Sequence, residues 1–285
     1  MSDSEPARLS EPARLSEPAR LSEPAPAKLN LALHVRRRRA DGRHDIETIF
    51  AFCTDGDRLQ ASTGQGLALT ITGPFAKGLS AGEDNLVLRA ARALADAAQI
   101  PADAALHLTK NLPVASGIGG GSADAAAALR LLTRLWNVDP AHASAVAPTL
   151  GSDVPACLLS MTARGSGAGD ELILEDAGIA GAPVLLVNPR QPLSTGAVFA
   201  GWDGTDRGPL DHWQGGRNDL DPAARVLVPA IASVLDWLGA QDGVTTARMS
   251  GSGATCFALF DDEAARDRAA AAVPPDWWHL PSFIR

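Results

Sequence analysis

The segment Pro113–Ala128 reads Pro-Val-Ala-Ser-Gly-Ile-Gly-Gly-Gly-Ser-Ala-Asp-Ala-Ala-Ala-Ala and decides how this chain folds. The alternating leucines of residues 104–110 predict a short strand before it, and the alanine- and leucine-rich residues 122–136 predict a helix after it. Glycine lets a backbone approach a ligand closely, and a helix N-terminus offers unpaired N–H groups and the positive end of the helix dipole. The segment therefore predicts a phosphate-binding loop.

Two common phosphate loops do not match this segment. No Lys-Ser or Lys-Thr follows the glycines, so it is not a Walker A sequence, and the Gly-x-Gly-x-x-Gly spacing of a Rossmann fold is absent. A glycine-rich linker is the structural alternative, although a helix follows directly. Asp124 falls in the first turn of that helix, where capping is one role open to it.

Composition limits the functions that need to be considered. The chain has 285 residues and a net charge of −8, which argues against a general nucleic-acid binder. Its three cysteines are odd in number and far apart, a pattern that favours a cytoplasmic protein and gives no sign of a metal site. No stretch approaches the ~20 apolar residues of a membrane span, so we expect no membrane association.

The N-terminus is a repeat of Ser-Glu-Pro-Ala-Arg-Leu that runs over residues 4–25. A proline in every copy opposes regular helix, and the repeat has too little apolar content for a core. We therefore predict a disordered tail over residues 1–24, with a weak docking role as the alternative, and folded structure from about Ala25.

Residues 28–35 alternate as a strand does, with the leucines on one face and Lys28, Asn30 and His34 on the other. From the pattern alone we interpret it as a half-exposed strand with ordinary polar residues on its solvent side. The run Arg36–Arg39 precedes a turn at residues 40–42 and a return strand at 44–52, so we interpret the arginines as a solvated hairpin end.

Asp153 stands at or beside the N-cap of a helix that begins near Pro155, and capping alone would explain it. Asp84 is the predicted cap of an earlier helix that ends near residue 99. The later elements are a strand over 184–188, a helix over 195–202, a helix over 222–238, and a strand pair within 246–260 that flanks the Ser-Gly-Ser-Gly sequence at 250–253.

Three segments in this order resemble the motifs of the GHMP small-molecule kinases. The glycine loop is similar to their phosphate loop, Gly-Ser-Asp-Val-Pro at 151–155 to the segment with their catalytic aspartate, and Met-Ser-Gly-Ser-Gly-Ala at 249–254 to their third motif. Residues 27–31 and 41–45 resemble the branch whose acceptor is a cytidine diphosphate-linked methylerythritol. The similarity runs from Ala25 to Phe260.

The resemblance implies an α+β fold in two domains, with the active site in the cleft between them. We expect an ATP-binding N-terminal domain over residues 25–165 and a C-terminal domain over 166–285 that contributes to substrate binding. The implied partner is a small-molecule acceptor, without nucleic acid or membrane, and the protein would be a cytoplasmic monomer or homodimer. The implied cofactors are ATP and Mg²⁺.

The resemblance also assigns roles to individual residues. Lys28 and Asp153 would be the catalytic pair. The residues that would hold the ATP phosphates are Pro113, Val114, Ala115, Ser116, Gly117, Ile118, Gly119, Gly120, Gly121 and Ser122. The third motif would add Gly251, Ser252 and Gly253. The acceptor would be bound by Asn30, Arg43, His44, Thr195 and Phe199. The metal ligands and the residues around adenine stay unassigned.

Arg43 departs from the family pattern, which has a tyrosine at this position, and the chain contains no tyrosine. Because a guanidinium plane can stack on a base, we predict that Arg43 and Phe199 enclose the cytosine. The rival functions are another GHMP kinase, of the homoserine or mevalonate type, and a catalytically silent nucleotide sensor. A sensor would be expected to lack Lys28 or Asp153, and both are present.

Overall fold

The computed structural model of the protein describes residues 20–285. The strands are β1 Leu21–Arg38, β2 His44–Ser62, β3 Leu67–Thr72, β4 Ala104–Thr109, β5 Ala163–Ser166, β6 Glu171–Leu174, β7 Pro183–Asn188, β8 Val244–Met249, β9 Cys256–Phe260 and β10 Trp278–Phe283. The helices are α1 Leu86–Ala98, α2 Gly120–Leu135, α3 Pro140–Leu150, α4 Val154–Leu159, α5 Thr195–Ala200, α6 Asp221–Leu227, α7 Ala230–Gly239 and α8 Glu263–Ala271.

The strands form two sheets, which confirms the predicted α+β fold in two domains. The first runs β3-β4-β2-β5-β6, with β1 paired to β2, and the second runs β10-β7-β9-β8. The apolar faces of α1 and α2 pack on the first sheet, while α6, α7 and α8 contribute to a core with the second. A third core lies between the sheets and joins them through β1 and β2.

The first strand, β1, changes the direction of its side chains along its length. It pairs with β2 throughout, but the register shifts between Pro26 and Lys28, between Asn30 and Ala32, and between Val35 and Arg37. Each bulge moves the following side chains to the opposite face of the sheet. The prediction that all the leucines of residues 28–35 share one face is therefore wrong, since Leu29 and Leu31 belong to the core between the sheets, whereas Leu33 belongs to the C-terminal core.

The prediction of a half-exposed polar face on this strand is also wrong. Lys28, Asn30 and His34 are all buried, because elements from both domains cover β1. Burying an amine, an amide and an imidazole requires partners for each of them. The partners of Lys28 and Asn30, described below, place both residues at the cleft. The Nδ1 of His34 lies 3.1 Å from the carbonyl oxygen of Gly208, in a loop of the C-terminal domain.

Both predicted domain boundaries shift. Strand β1 begins at Leu21, before the predicted start at Ala25, and residues 21–24 pair with β2; residues 1–19 of the predicted tail lie outside the described residues. The boundary at 165/166 is wrong, because β5 and β6 still belong to the first sheet. The chain passes to the second domain between Leu174 and Pro183.

Three local predictions need correction. Asn85, not Asp84, caps α1, since its side chain accepts a hydrogen bond from the backbone of Val87. The helix predicted over 222–238 is two helices, α6 and α7, because Pro229 lacks the N–H that would continue the first. Asp124 does not cap α2 but is buried within it and bound to Lys110.

Candidate active site

The two glycine-rich segments lie against each other and form one wall of the cleft. Gly117 has φ of +79°, and a Cβ there would lie 2.5 Å from the carbonyl oxygen of Gly253 and 2.7 Å from that of Ser250. The Ser250 hydroxyl donates to the Gly117 carbonyl at 3.2 Å, and the Thr255 N–H donates to the Ser116 carbonyl at 3.1 Å. Glycine is required at 117 because a side chain would separate the two loops.

Helix α2 begins at this wall without a side-chain cap. Gly119 is its N-cap in the left-handed conformation, with φ of +64°, and no side chain there accepts from the first-turn N–H groups. These donors and the positive end of the helix dipole remain available to an anion. Lys28 lies close by, since its Cε would be 3.0 Å from a Cβ added at Gly119.

Lys28 and Asp153 form an ion pair in front of this helix. The Lys28 Nζ lies 2.9 Å from Asp153 Oδ2 and donates to Asn30 Oδ1 at 2.8 Å. The Asn30 amide in turn donates to the Thr48 hydroxyl at 2.8 Å, so its orientation is fixed. The side chain of Asp153 makes no capping bond although the residue is the N-cap of α4. Capping alone therefore does not explain Asp153.

The members of this pair differ in their access to solvent. The Lys28 side chain is 4% exposed and that of Asp153 is 34% exposed. The ammonium is therefore fixed among protein groups, while the carboxylate faces open space and can contact a ligand.

The pair lies in a cavity of about 330 Å³, which we call the inner cavity. Of the residues assigned from the sequence, it is lined by Lys28, Asn30, Ala115, Ser116, Gly117, Gly119, Gly120, Gly121, Ser122, Asp153, Thr195, Phe199, Gly251 and Ser252. Thr195 at the start of α5 is tied to the third motif, with its hydroxyl 2.9 Å from that of Ser252. Both domains contribute to this cavity, as predicted.

A second cavity of about 260 Å³, the outer cavity, adjoins the inner one. Its lining includes Arg43 and His44, and it shares Phe199 with the inner cavity. The His44 and Phe199 rings lie 4.9 Å apart, and Trp202 meets the other edge of the histidine at 5.6 Å. Burial, together with the positive charge of Arg38, lowers the pKa of His44, so the imidazole is neutral near pH 7.

The predicted enclosure of a base by Arg43 and Phe199 stays a prediction. Both residues line the outer cavity, but the Arg43 guanidinium binds Asp41, with Nη2 and Nε each 3.0 Å from Oδ2. In this structure it is His44 that lies against Phe199.

Several residues at these cavities were missed by the sequence interpretation, among them Ser152, Ala168 and Trp202. Ser152 and Ala168 line both cavities, and Trp202 packs on His44. Ser152 is next to the assigned aspartate, which could have indicated it. Ala168 lies in the glycine-rich stretch that we used only as a boundary signal, and nothing in the sequence pattern pointed to it.

A second lysine–aspartate cluster lies behind the glycine loop. The Lys110 ammonium binds both Asp57 and Asp124, the latter at 2.6 Å, and all three side chains are at most 5% exposed. Asp57 also accepts from the backbone N–H groups of Asn111 at 2.5 Å and Leu112 at 2.8 Å. The cluster therefore fixes both the chain entering the loop and the helix leaving it.

The cluster holds two carboxylates and one ammonium away from water. Burial raises the pKa of Asp124 to about 7 despite the nearby Lys110. Burial alone would lower the pKa of Lys110, but the two carboxylates outweigh it and raise that pKa. The ammonium therefore stays charged, while Asp124 exchanges its proton near neutrality.

A third cavity of about 290 Å³ lies beside Gly120 and Gly121, and its lining includes the apolar side chains of Leu86, Val87, Leu108 and Val114.

Within residues 20–285 no group of three or more His, Cys, Asp or Glu side chains is placed to hold a metal ion. No helix in the same range is long and apolar enough to cross a membrane.

Comparison with known proteins agrees with this geometry. The model of the GHMP kinases N terminal domain matches residues 85–161, and the model of the GHMP kinases C terminal domain matches residues 208–279. A homoserine kinase from Cytophaga hutchinsonii shares the fold, with a TM-score of 0.70 at 15% identity, over 96% of this chain and 98% of that one.

Relatives with higher sequence identity have the name of one branch of these kinases. The 4-diphosphocytidyl-2-C-methyl-D-erythritol kinase of Rhizorhabdus wittichii is 55% identical, covering 92% of this chain and 94% of its own. The protein of that name from Sphingopyxis alaskensis is 52% identical over 91% and 96%. The crystal structure of a 4-(cytidine 5'-diphospho)-2C-methyl-D-erythritol kinase matches with a TM-score of 0.77 and 32% identity, over 93% of this chain and 99% of that one. The chain therefore belongs to the GHMP kinases and, within them, to the 4-diphosphocytidyl-2-C-methyl-D-erythritol kinase family.

Proposed function

We propose that this kinase transfers the γ-phosphoryl group of ATP to the 2-hydroxyl of 4-diphosphocytidyl-2-C-methyl-D-erythritol, a step in the non-mevalonate route to isoprenoid precursors. One observation carries the proposal: the Lys28–Asp153 pair lies between an uncapped helix N-terminus and a cavity lined by His44 and Phe199. This arrangement offers one side for a polyphosphate and the other for a base-bearing alcohol.

The phosphate side needs positioning and charge more than covalent chemistry, because phosphoryl transfer passes through a loose transition state. The loop N–H groups and the α2 dipole would hold the β- and γ-phosphates. No Walker lysine follows this loop, and Lys28 would supply the missing positive charge from β1. Its bond to Asn30 keeps the ammonium aimed at the transferring group.

Asp153 would accept or orient the proton of the acceptor hydroxyl. A carboxylate is a weak base, and the Lys28 ammonium, 2.9 Å from Asp153 Oδ2, holds this one in position. A weak base suffices here, because in a loose transition state the proton can leave late. The partial exposure of Asp153 gives a substrate hydroxyl access to it.

The base end of the acceptor would lie in the outer cavity. A neutral histidine has one donor and one acceptor nitrogen, and the cytosine edge offers complementary groups. Phe199 supplies an aromatic face beside His44. Asn30 and Thr195, at the inner cavity, would then contact the erythritol and phosphate portions.

The nucleotide would enter with its metal. The apolar slot formed by Leu86, Val87 and Val114 adjoins the glycine loop and suits an adenine ring. Mg²⁺ is usually held by substrate phosphates, water and one or two protein oxygens, which fits a site without a carboxylate cluster. Ser122 and Asp153 present such oxygens to the inner cavity, and the ion would neutralise charge on the phosphates.

The test is ATP consumption by the purified protein with the diphosphocytidyl alcohol, homoserine and mevalonate in parallel, and Asp153→Asn as the control. We expect turnover of the diphosphocytidyl alcohol alone, abolished in the variant. Turnover of homoserine or mevalonate instead would overturn the proposed acceptor. Tight ATP binding without turnover of any acceptor would favour the silent nucleotide sensor.

A further inference from the structure

The hairpin between β1 and β2 carries five arginines, and the structure separates one of them from the rest. Four of these arginines have carboxylate partners: Arg36 with Asp206 at 3.1 Å, Arg37 with Asp45 at 2.5 Å, Arg39 with Asp45 at 3.4 Å, and Arg43 with Asp41 at 3.0 Å. Arg38 forms an ion pair with none of residues 20–285. Of the five arginines on this hairpin, Arg38 is therefore the one whose positive charge is not balanced by a carboxylate among the described residues.

The direction of Arg38 follows from the register of the hairpin. Arg37 pairs across the strands with Asp45, and Arg38 pairs with His44. Because neighbouring residues of a strand point to opposite faces, Arg37 extends into solvent, where its side chain is 77% exposed, and Arg38 lines the outer cavity. The charge of Arg38 also acts on His44, whose pKa it lowers.

The outer cavity therefore joins an aromatic wall to an unpaired cation. His44 and Phe199 offer a surface for a planar base, and Arg38 offers a planar cation that suits phosphate oxygens. Arg43, at the same mouth, is already bound by Asp41 and contributes less charge. A base that carries a phosphate chain would satisfy both features together.

We propose that Arg38 is the residue that binds the diphosphate of the acceptor and so gives the outer cavity its preference for a nucleoside diphosphate over a bare nucleoside. The inference rests on the proposed function, since it places the cytidine portion of the acceptor in this cavity. It replaces, for Arg38, the interpretation of the arginine run as a solvated hairpin end, which holds for Arg37.

A binding cycle tests the inference without turnover. The affinities of CDP and of cytidine are measured by calorimetry for the wild type, Arg38→Gln and Arg37→Gln. Arg37 is the matched control because it is one residue away, carries the same charge and faces the opposite side. We expect Arg38→Gln to lower CDP affinity about tenfold and leave cytidine affinity within about twofold, as suits one charge-assisted contact at a partly exposed site.

Two further results bear on the proposal. Arg37→Gln should leave both affinities within about twofold, and CDP binding by the wild type should weaken more steeply with added salt than binding by Arg38→Gln. Equal loss of CDP affinity in the two variants, or an unchanged ratio of CDP to cytidine affinity in Arg38→Gln, would overturn the role of Arg38 alone. Failure of the wild type to bind either ligand would overturn the proposed acceptor together with it.

Discussion

Two lysine–aspartate sites lie on opposite sides of the same glycine loop, and they are built for different work. At the cleft, Lys28 meets Asp153, whose side chain is 34% exposed. Behind the loop, Lys110 meets Asp57 and Asp124, whose side chains are 0% and 5% exposed. Under the proposed function, the same pair of residue types would serve phosphoryl transfer at the cleft, whereas behind the loop it holds the chain in place.

Access and partners account for the difference. Asp153 makes no capping bond and keeps a free side toward the inner cavity, so a substrate hydroxyl can reach it. Both carboxylate oxygens of Asp57 already accept hydrogen bonds, one from Lys110 and the other from the N–H groups of Asn111 and Leu112. A carboxylate whose oxygens are bound by protein donors holds backbone in place but cannot accept a proton from a substrate.

The largest effect should follow from removing the cleft ammonium. Lys28→Met should lower kcat about a thousandfold, because the phosphoryl group and Asp153 both lose their compensating charge. Steady-state kinetics at saturating substrates measures this. Wild-type unfolding in urea should be nearly preserved, since Asp153 is partly exposed. A kcat within tenfold of the wild type would exclude Lys28 from the reaction.

Removing the other lysine should damage the fold instead. Lys110→Met leaves two buried carboxylates without their ammonium, and breaking a buried pair in this way costs about 3 kcal/mol. Urea unfolding measures the loss, and Lys77→Met, at an exposed site, is the matched control. Equal stability of the two variants would mean that the cluster contributes nothing to the fold.

The smallest effect is the change in stability that one pH unit should cause. Because burial raises the pKa of Asp124 to about 7, the folded protein keeps a proton that the unfolded chain releases near pH 4. Relative to Asp124→Asn, wild-type stability should therefore fall by about 1.4 kcal/mol per pH unit as pH rises from about 4 to 7, and the difference should then stay constant. Urea unfolding of both proteins across this range measures it; a difference independent of pH would contradict the buried proton.

The cleft site could largely be predicted from the sequence, whereas the Lys110 cluster behind the loop could not. Lys28, Asn30, Asp153, most of the assigned glycine loop, and Gly251 and Ser252 of the third motif line the inner cavity, because family motifs keep their order and local pattern along the chain. The Lys110 cluster was missed, because Asp57 and Lys110 are far apart in sequence and meet only through the pairing of β2 with β4.

The β-bulges of β1 and the pairing of side chains across the hairpin also could not be predicted from the sequence. The alternation of residues 28–35 could not reveal the shifts that turn β1 toward both domains, since a bulge depends on the partner strand. In the sequence, nothing distinguishes one arginine of the run Arg36–Arg39 from the next. Only the register, which places Asp45 opposite Arg37 and His44 opposite Arg38, separates a solvated charge from one that faces a cavity.

The most direct test of the division between the two sites compares Asp153→Asn with Asp124→Asn, measuring kcat and urea unfolding for each. Both changes replace the carboxyl group of an aspartate next to a lysine by an amide and keep the shape of the side chain. We predict that Asp153→Asn loses turnover at wild-type stability, whereas Asp124→Asn keeps turnover within about tenfold and loses the pH dependence of stability that the Asp124 proton gives the wild type. A folded Asp124→Asn as inactive as Asp153→Asn, or an active Asp153→Asn, would contradict the assignment of the chemistry to the cleft pair.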